Sequence, residues 1–424
     1  MFTALLTRAI RRRLVGPEQR FSFQAAKNID PGPLERTGLY IHIPFCKNLC
    51  PYCPYNKIRY ERKLAGPYLQ ALLEEVEQYY NRIGKAEITS IYIGGGTPTN
   101  LIDELGTVLS RIRERFHLVG DICIETNPED INGENIDKLL QCGVNLVSLG
   151  GQSFNNRHLE LLGRSYDAAV LERSLELVLA AGFKSVNLDL MFALPGQTAA
   201  EVEEDLNRAL LSGANQITAY PLFSFPYSTV GRYRRLKKVK MPNLAVRRKM
   251  YRTIHNFFLE HGFHRVSVWG FLQGETPRYS SVTRERYIGL GAGAGSHVPG
   301  LFYLNTFSVD RYIDSCRNGK LPVALKMNFT KMMELYYWLY WRFYDTYIPK
   351  KELFILFGGD NRELQMLLRL LSAFKMATDE GDEIALNERG SFWLHLLQNY
   401  FVLPYINRIW TVAQKNPYPS EVDF

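Results

Sequence analysis

Three cysteines, Cys46, Cys50 and Cys53, fall within IPFCKNLCPYCPYN (43–56), spaced Cys-x3-Cys-x2-Cys. The other three, Cys123, Cys142 and Cys316, are scattered singly, which is no disulfide framework and suits a reducing, cytoplasmic setting. Such a dense triplet of thiols points to a metal. Zinc normally takes four ligands, usually from two separated pairs. The nearby His42 would sit on a strand four residues before Cys46 and point poorly. An iron–sulfur cube takes cysteine thiolates, usually four. With three supplied, one iron is left open, and an open iron is where a small molecule can chelate the cluster.

A loop of this kind needs elements to hold it, and the chain supplies them in a regular series. LYIHI (39–43), ITSIYI (88–93), DICIE (121–125), NLVSL (145–149), SVNLDLM (185–191) and QITAYPLF (216–223) read as strands. Helical patterns fill the gaps, among them YLQALLEEVEQYY (68–80), a segment around 102–116, NIDKLLQ, LERSLELVLAAG and AEVEEDLNRALLSG. Six repeats of strand and helix predict parallel strands with crossover helices, an α/β fold. Six units are too few for a closed eight-strand barrel. An open, partial (β/α)6 barrel is expected, with its site at the carboxyl ends of the strands.

Beyond about residue 230 the rhythm changes to a basic run, GRYRRLKKVK (231–240), a helix around 243–262 and a glycine-rich stretch, YIGLGAGAGSH (287–297). From about 326 the chain becomes helical and aromatic. The expected organisation is an N-terminal basic arm (1–35), a catalytic domain (36–325) and a C-terminal, mainly helical domain (326–424). The arm, with no acid before Glu18, is read as a transit peptide or as an amphipathic, membrane-brushing segment; it lacks a secretory h-region. Hydrophobic residues make up 46% of 424, enough for a large core, and charges interrupt every stretch long enough to cross a membrane. The net charge of +8 suits nucleic acid, anionic lipid, an acidic partner or a polyanionic substrate, without choosing among them. No nucleic-acid motif accompanies it.

LYIHIPFC, IGGGTPTNL, ETNP, VSLGGQSF and NLDLMFALPGQT lie in order on successive βα units within 36–325. Together with the cysteine spacing they resemble the radical S-adenosylmethionine (radical SAM) enzymes and, more narrowly, the oxygen-independent coproporphyrinogen III oxidase family. The resemblance implies a partial radical SAM barrel with a winged-helix-like C-terminal module. It implies that Cys46, Cys50 and Cys53 ligate a 4Fe-4S cluster whose open iron binds S-adenosylmethionine. Reductive cleavage there gives a 5′-deoxyadenosyl radical that abstracts hydrogen from the substrate. Gly95, Gly96 and Thr97 would contact the cofactor's methionine end, and glycines let backbone approach a ligand closely. Glu125, ending the third strand, would bind the cofactor. Gln152, Arg164 and Asp189 match positions that serve a second S-adenosylmethionine. Asp189 also stands out physically, as an acid inside an apolar strand, costly unless paired or ligand-bound. Glu125 and Asp189 are the candidate catalytic acids. Tyr40 and Tyr52 match an aromatic cofactor contact and a loop aromatic, with core packing as the alternative.

The chain departs from the family in two places. The oxidase proper carries another cysteine two residues after the third, and here that residue is Tyr55. Haem chaperones of the family carry His-Asn-x-x-Tyr-Trp before the glycine run; PRYSSVTRERYIGLG (277–291) has neither the histidine nor the tryptophan, and His264 and His297 nearby read as structural. The expected function is oxidative decarboxylation of a porphyrinogen propionate. The alternatives are methyl transfer or cyclopropanation with two S-adenosylmethionines on a non-porphyrin substrate, or haem delivery without catalysis. The basic run 231–240 is read as binding substrate carboxylates, as docking an acidic electron donor such as flavodoxin or ferredoxin, or as a solvated loop. A monomer is expected. The aromatic helix after 326 is read as core, with a substrate lid or a membrane-touching surface as alternatives.

Overall fold

The six expected strands form a continuous parallel arc. They are β2 (Arg36–Ile43), β3 (Glu87–Gly95), β4 (Ile122–Thr126), β5 (Leu146–Gln152), β6 (Ser185–Phe192) and β7 (Gln216–Pro221), after the short N-terminal β1 (Ser22–Ala25). Adjacent members pair in parallel from β2 to β7. The computed structural model describes residues 21–26, 29–236, 240–279, 286–358 and 362–424. Most of the basic arm, and Lys237 and Lys238 of the basic run, lie outside these residues.

Each crossover helix buries one stripe. In Arg62–Ile83 the buried residues include Tyr68, Leu72, Val76, Tyr79 and Ile83, the 3–4 spacing of an amphipathic helix. Helix Ala199–Ser212 is started by a capping box between Thr198 and Glu201 and stopped by Gly213 at φ 81°. The strands are largely buried on both faces, with helices covering one side and the site, lined by polar side chains of the strands, on the other.

The later segments, where the rhythm changes, extend the same sheet with antiparallel strands. On the β7 side lie β9 (Gly270–Gln273) and then β8 (Phe263–Arg265). On the β2 side, β10 (Tyr287–Leu290) pairs in parallel with β2, followed by β11 (Gly295–Val298), β12 (Leu301–Asn305), β13 (Val323–Asn328), β1 and β14 (Glu421–Asp423). The C-terminal tail therefore returns to the sheet edge beside β1. The boundary expected near 325 falls inside β13.

The glycine-rich run between β10 and β11 is dictated by packing. A Cβ on Gly289 would lie 2.1 Å from the Gly295 oxygen, and one on Gly291 would lie 2.4 Å from the His42 oxygen. The turn is pinned by the fully buried Glu75, which accepts from Gly291 N (2.8 Å), Asn305 Nδ2 (2.8 Å) and Tyr312 Oη (2.6 Å).

The C-terminal region is mainly helical: Lys331–Asp345, Lys350–Phe357, Arg362–Ala373 and Glu388–Ala413, with a three-stranded antiparallel sheet of Tyr347–Pro349, Glu383–Leu386 and Ala377–Asp379. Among the described residues no helix is long and apolar enough to cross a membrane.

Candidate functional site

The carboxyl ends of β3 to β7 open into one cavity of about 400 Å3, roofed by the cysteine loop and by the C-terminal helices. The loop leaves the sheet at Phe45–Cys46 and returns at Ile58–Arg59, and these two short segments pair in parallel. Its base is closed by Ile58 N donating to Pro44 O (2.8 Å) and Tyr60 N to Cys46 O (2.9 Å). Lys57 Nζ caps the Cys53 carbonyl at 2.7 Å. All three cysteines are free and line the cavity. Burial pushes the Cys46 thiol up to about 11, with the Thr97 hydroxyl, 3.8 Å from Sγ, pulling the other way.

His42 is not a metal ligand, because both ring nitrogens are used. Nδ1 pairs with Tyr40 Oη and Nε2 with the Asn56 carbonyl, each at 2.7 Å. Burial lowers its pKa to about 4, so the ring is neutral. Asn56 Nδ2 in turn donates to Ala292 O (3.1 Å) and Phe307 O (2.9 Å). The far end of the cysteine loop is thus fastened to the sheet through Tyr40, His42 and Asn56. Tyr40, the expected cofactor contact, does not line the cavity: its hydroxyl serves this chain instead.

The turn after β3 packs directly against the cysteine loop. Gly96 N donates to Ile43 O (2.7 Å) and Thr97 N to Phe45 O (2.8 Å). A Cβ on Gly96 would lie 2.7 Å from the Phe45 oxygen, and one on Gly95, at φ +113°, 2.6 Å from the His42 ring. Backbone approach to protein, as much as to a ligand, requires glycine here.

Below the turn lies a row of buried polar groups. Glu125 accepts from Gly95 N (3.1 Å) and from the Tyr92 hydroxyl, which also pairs with Tyr279 Oη at 2.6 Å. Asp189 accepts from Asn187 Nδ2 at 2.8 Å and is also bonded by the Ser148 side chain. That amide is oriented by Ser148 Oγ and by Thr218 Oγ1, both at 2.7 Å. Burial pushes the Asp189 carboxyl up to about 7, and nearby Glu125 adds to the shift. Glu125 is itself raised by burial, opposed by its bonds from Tyr92 and Gly95. Asp189, its charge disfavoured by burial and by Glu125, can hold or release a proton near neutral pH.

Gln152 ends β5 in the left-handed region, φ 68°, after a register shift at Gly150–Gly151; its Oε1 accepts from Tyr220 Oη at 2.9 Å. Such a backbone is strained for a residue with a Cβ and is found where surroundings fix it. Arg164 lies over the rings of Tyr52 and Tyr166 and donates from Nη2 to Tyr52 Oη (2.7 Å) and from Nη1 to Asn127 Oδ1 (3.5 Å). Its Nε is sealed from water with no partner. A buried, unsatisfied guanidinium N–H costs about 1–3 kcal/mol.

The opposite wall comes from the C-terminal module. His395, Asn399, Val402, Leu403 and Ile406 form one face of the long helix Glu388–Ala413, and Tyr340 and Tyr344 face them from Lys331–Asp345. Gln398 Nε2 donates to the Tyr340 carbonyl (2.8 Å), locking the two helices. Trp269 Nε1 donates to His395 Nε2 (3.3 Å), and burial lowers this histidine to about 4. The dense aromatic helix therefore splits its side chains: Tyr340 and Tyr344 line the cavity, while Tyr337 packs on His297 with the rings tilted by 40° at 4.2 Å. His297 Nε2 lies 3.2 Å from Glu334, and His264 is exposed.

Cys46, Cys50, Cys53, Tyr52, Gly95, Gly96, Thr97, Glu125, Gln152, Arg164 and Asp189 are brought to this one cavity, and Tyr55 joins them. Tyr92, Tyr220, Trp269, Arg278 and Tyr279 were not singled out from sequence. Tyr92 alone carried a local signal, two residues before Gly94 on the same strand face. Among the described residues no three His, Cys, Asp or Glu side chains converge on one point as at a single metal ion. A cube binds each thiolate to a different iron, so three thiols spread around a shared opening fit it. The Arg164 guanidinium, which lines the cavity, suits a bound carboxylate.

A radical SAM superfamily model matches residues 40–209. The haem chaperone HemW of Bacillus subtilis (strain 168) is 32% identical over 290 residues, covering 67% of this chain and 76% of its own. Anaerobilin synthase of Escherichia coli O157:H7 is 29% identical over 315 residues, 72% of this chain and 71% of that one. The structure of coproporphyrinogen III oxidase (HemN) from Escherichia coli superposes with a TM-score of 0.75 at 21% identity, over 90% of this chain and 94% of that one, which shows a shared fold.

Proposed function

The chain belongs to the radical SAM superfamily, in the oxygen-independent coproporphyrinogen III oxidase-like family, and from that premise we propose an enzyme that transfers a methyl or methylene group to an aromatic substrate of low charge. Membership implies a 4Fe-4S cluster and S-adenosylmethionine. When bound, they supply an adenosyl radical for hydrogen abstraction. Cys46, Cys50 and Cys53 hold the cluster. Gly95, Gly96, Thr97 and Glu125 hold the cofactor beside it. Gln152, Arg164 and Asp189 form a separate polar pole suited to a second S-adenosylmethionine, with the Arg164 guanidinium facing its carboxylate. Asp189, poised near neutrality, holds or delivers a proton at its carboxyl group.

The observation that carries this reading is the charge balance of the wall. Lys47 is paired with Asp130 at 2.6 Å and Arg278 with Asp345 at 2.7 Å. Among the described lining residues that leaves two cations, Arg164 and Lys57, the latter held beside the cysteine loop by its bond to the Cys53 carbonyl, and a small adjoining pocket adds Arg247. Four propionates would need more. The remaining wall, Tyr340, Tyr344, Trp269, Phe223 and Phe225, suits a flat apolar body. The helix bearing Arg232 and Arg234 packs beside the cysteine loop through Val230 N donating to Pro51 O (3.1 Å), a site suited to an acidic electron donor.

Haem delivery is the second reading, favoured by the name of the HemW relative. Against it, His395, the histidine lining the cavity, already accepts from Trp269.

The test is anaerobic turnover of cluster-reconstituted protein with coproporphyrinogen III, with haem and with a panel of uncharged aromatic acceptors. Formation of 5′-deoxyadenosine together with S-adenosylhomocysteine on an uncharged acceptor is expected. Loss of carboxyl groups from coproporphyrinogen would replace this reading with decarboxylation. Tight stoichiometric haem binding without cofactor cleavage would replace it with delivery. The Cys50→Ala variant should lose both the cluster absorption and cofactor cleavage.

A further inference from the structure

The C-terminal module carries an apolar face that no described part of the chain covers. Helix Lys350–Phe357 buries Leu353 and exposes Phe354 (39%), Ile355 (72%) and Leu356 (37%). Helix Arg362–Ala373 buries Leu364 and Leu371 and exposes Met366 (60%) and Leu370 (44%); Phe374 (54%), just past its end, continues their line at four-residue spacing. Leu353 and Leu364 meet in one small core with Leu339, Ile348 and Ile384, so both helices belong to one packed unit.

The charges along the second of these helices have a bias. Lys350 is paired with Asp379 at 2.5 Å in the adjoining hairpin, which also carries Glu380, Asp382 and Glu383; the segment 362–375 itself has Arg362, Arg369 and Lys375 against Glu363. Arg362, Arg369 and Lys375 are exposed on the helix that carries the apolar line or just beyond it. Long basic side chains flanking an exposed apolar stripe match a bilayer surface: the stripe enters the acyl boundary while the cationic heads reach anionic headgroups. A second copy of the chain fits less well, because a two-fold contact would set these cations against their own copies.

We propose that Phe354–Leu356 with Met366, Leu370 and Phe374 dock this protein peripherally on an anionic lipid bilayer. The proposal rests on this surface and is independent of the active-site reading. The same module supplies Tyr340 and Tyr344 to the cavity, and Tyr336 of that helix packs on Phe357 at 6.1 Å between ring centroids. Docking therefore holds one wall of the cavity close to the lipid.

Co-flotation of the full-length protein with vesicles tests this. Binding is expected to mixed phosphatidylcholine–phosphatidylglycerol vesicles, to weaken with salt, and to be much poorer to phosphatidylcholine alone. The double variant Ile355→Asp/Leu370→Asp should lose about tenfold in bound fraction. Leu211→Asp, on an exposed leucine of the barrel, should bind as wild type. Unaltered circular dichroism and cofactor cleavage in solution would show that the double variant is folded. Equal binding by wild type and the double variant, or no flotation by wild type, would overturn the proposal. So would a dimer in size-exclusion chromatography that Ile355→Asp/Leu370→Asp converts to monomer.

Discussion

The indole nitrogen of Trp410 donates to the main-chain oxygen of Pro54 at 2.9 Å, joining residues 356 apart in sequence. Pro54 directly follows Cys53. Trp410 is held in turn by Tyr227, stacked at 5.9 Å, and by Phe307, edge-on at 4.8 Å. The last helix of the chain therefore clamps the loop that presents the thiols. Trp410→Phe keeps much of the ring packing and removes the donor. A net hydrogen bond contributes about 1 kcal/mol, so the reconstituted cluster should be lost to chelator about fivefold faster. Unchanged loss kinetics, followed by the cluster's visible absorption, would show that the clamp is dispensable.

Arg164 provides a second prediction. Arg164→Lys retains the charge but not the planar fork or the sealed Nε. Cofactor affinity measured by equilibrium binding should fall about tenfold to a hundredfold, the usual worth of a charge-assisted bond of about 1.5–3 kcal/mol, while cluster content stays at the wild-type level. Equal affinity in the two proteins would mean that no anion is received there.

Local features of this site were legible in the sequence because their causes are local. The triplet Cys46, Cys50, Cys53 needs only a loop, and the six strands announce themselves by β-branched runs at regular intervals. Asp189 was conspicuous as an acid in an apolar strand. Its partner Asn187 lies two residues away, but the Ser148 and Thr218 that orient Asn187 come from neighbouring strands, which no local pattern shows. The cavity's far wall was hidden for a related reason. His395, Asn399, Val402 and Ile406 read only as part of an apolar helix, and the fold decides which face turns to the site. At Tyr40 the motif position suggests a ligand contact or core packing, and the fold adds a pairing of its hydroxyl with the histidine two residues on.

Gly96 allows a steric test. Gly96→Ala places a methyl 2.7–2.9 Å from Phe45 O, Pro44 C and Ile43 O, all main-chain atoms that cannot swing aside. The variant should lose about 1–3 kcal/mol of stability in denaturant titration. Its cysteine loop should shift, lowering iron content after reconstitution. A fully stable, fully loaded Gly96→Ala protein would show that the turn and loop are less tightly joined than these contacts require.

Asp189 makes the cavity's electrostatics accessible to pH. Its carboxyl is pushed up to about 7 in the folded chain, by burial first and by Glu125 second, against about 4 when unfolded. The native state therefore holds the proton over a range in which the unfolded state has released it. Stability must fall as pH rises from about 4, and the loss is complete above about 7. Asp189→Asn carries no charge to suppress. The variant should match wild type near about pH 4 and exceed it by on the order of 1–3 kcal/mol at about pH 8, as read from denaturant midpoints of the cluster-free proteins. Parallel stability profiles would mean that water or a counter-charge reaches the carboxylate. In that case Asp189 could not serve as a proton store at neutral pH, and the polar pole formed with Gln152 and Arg164 would act through binding alone.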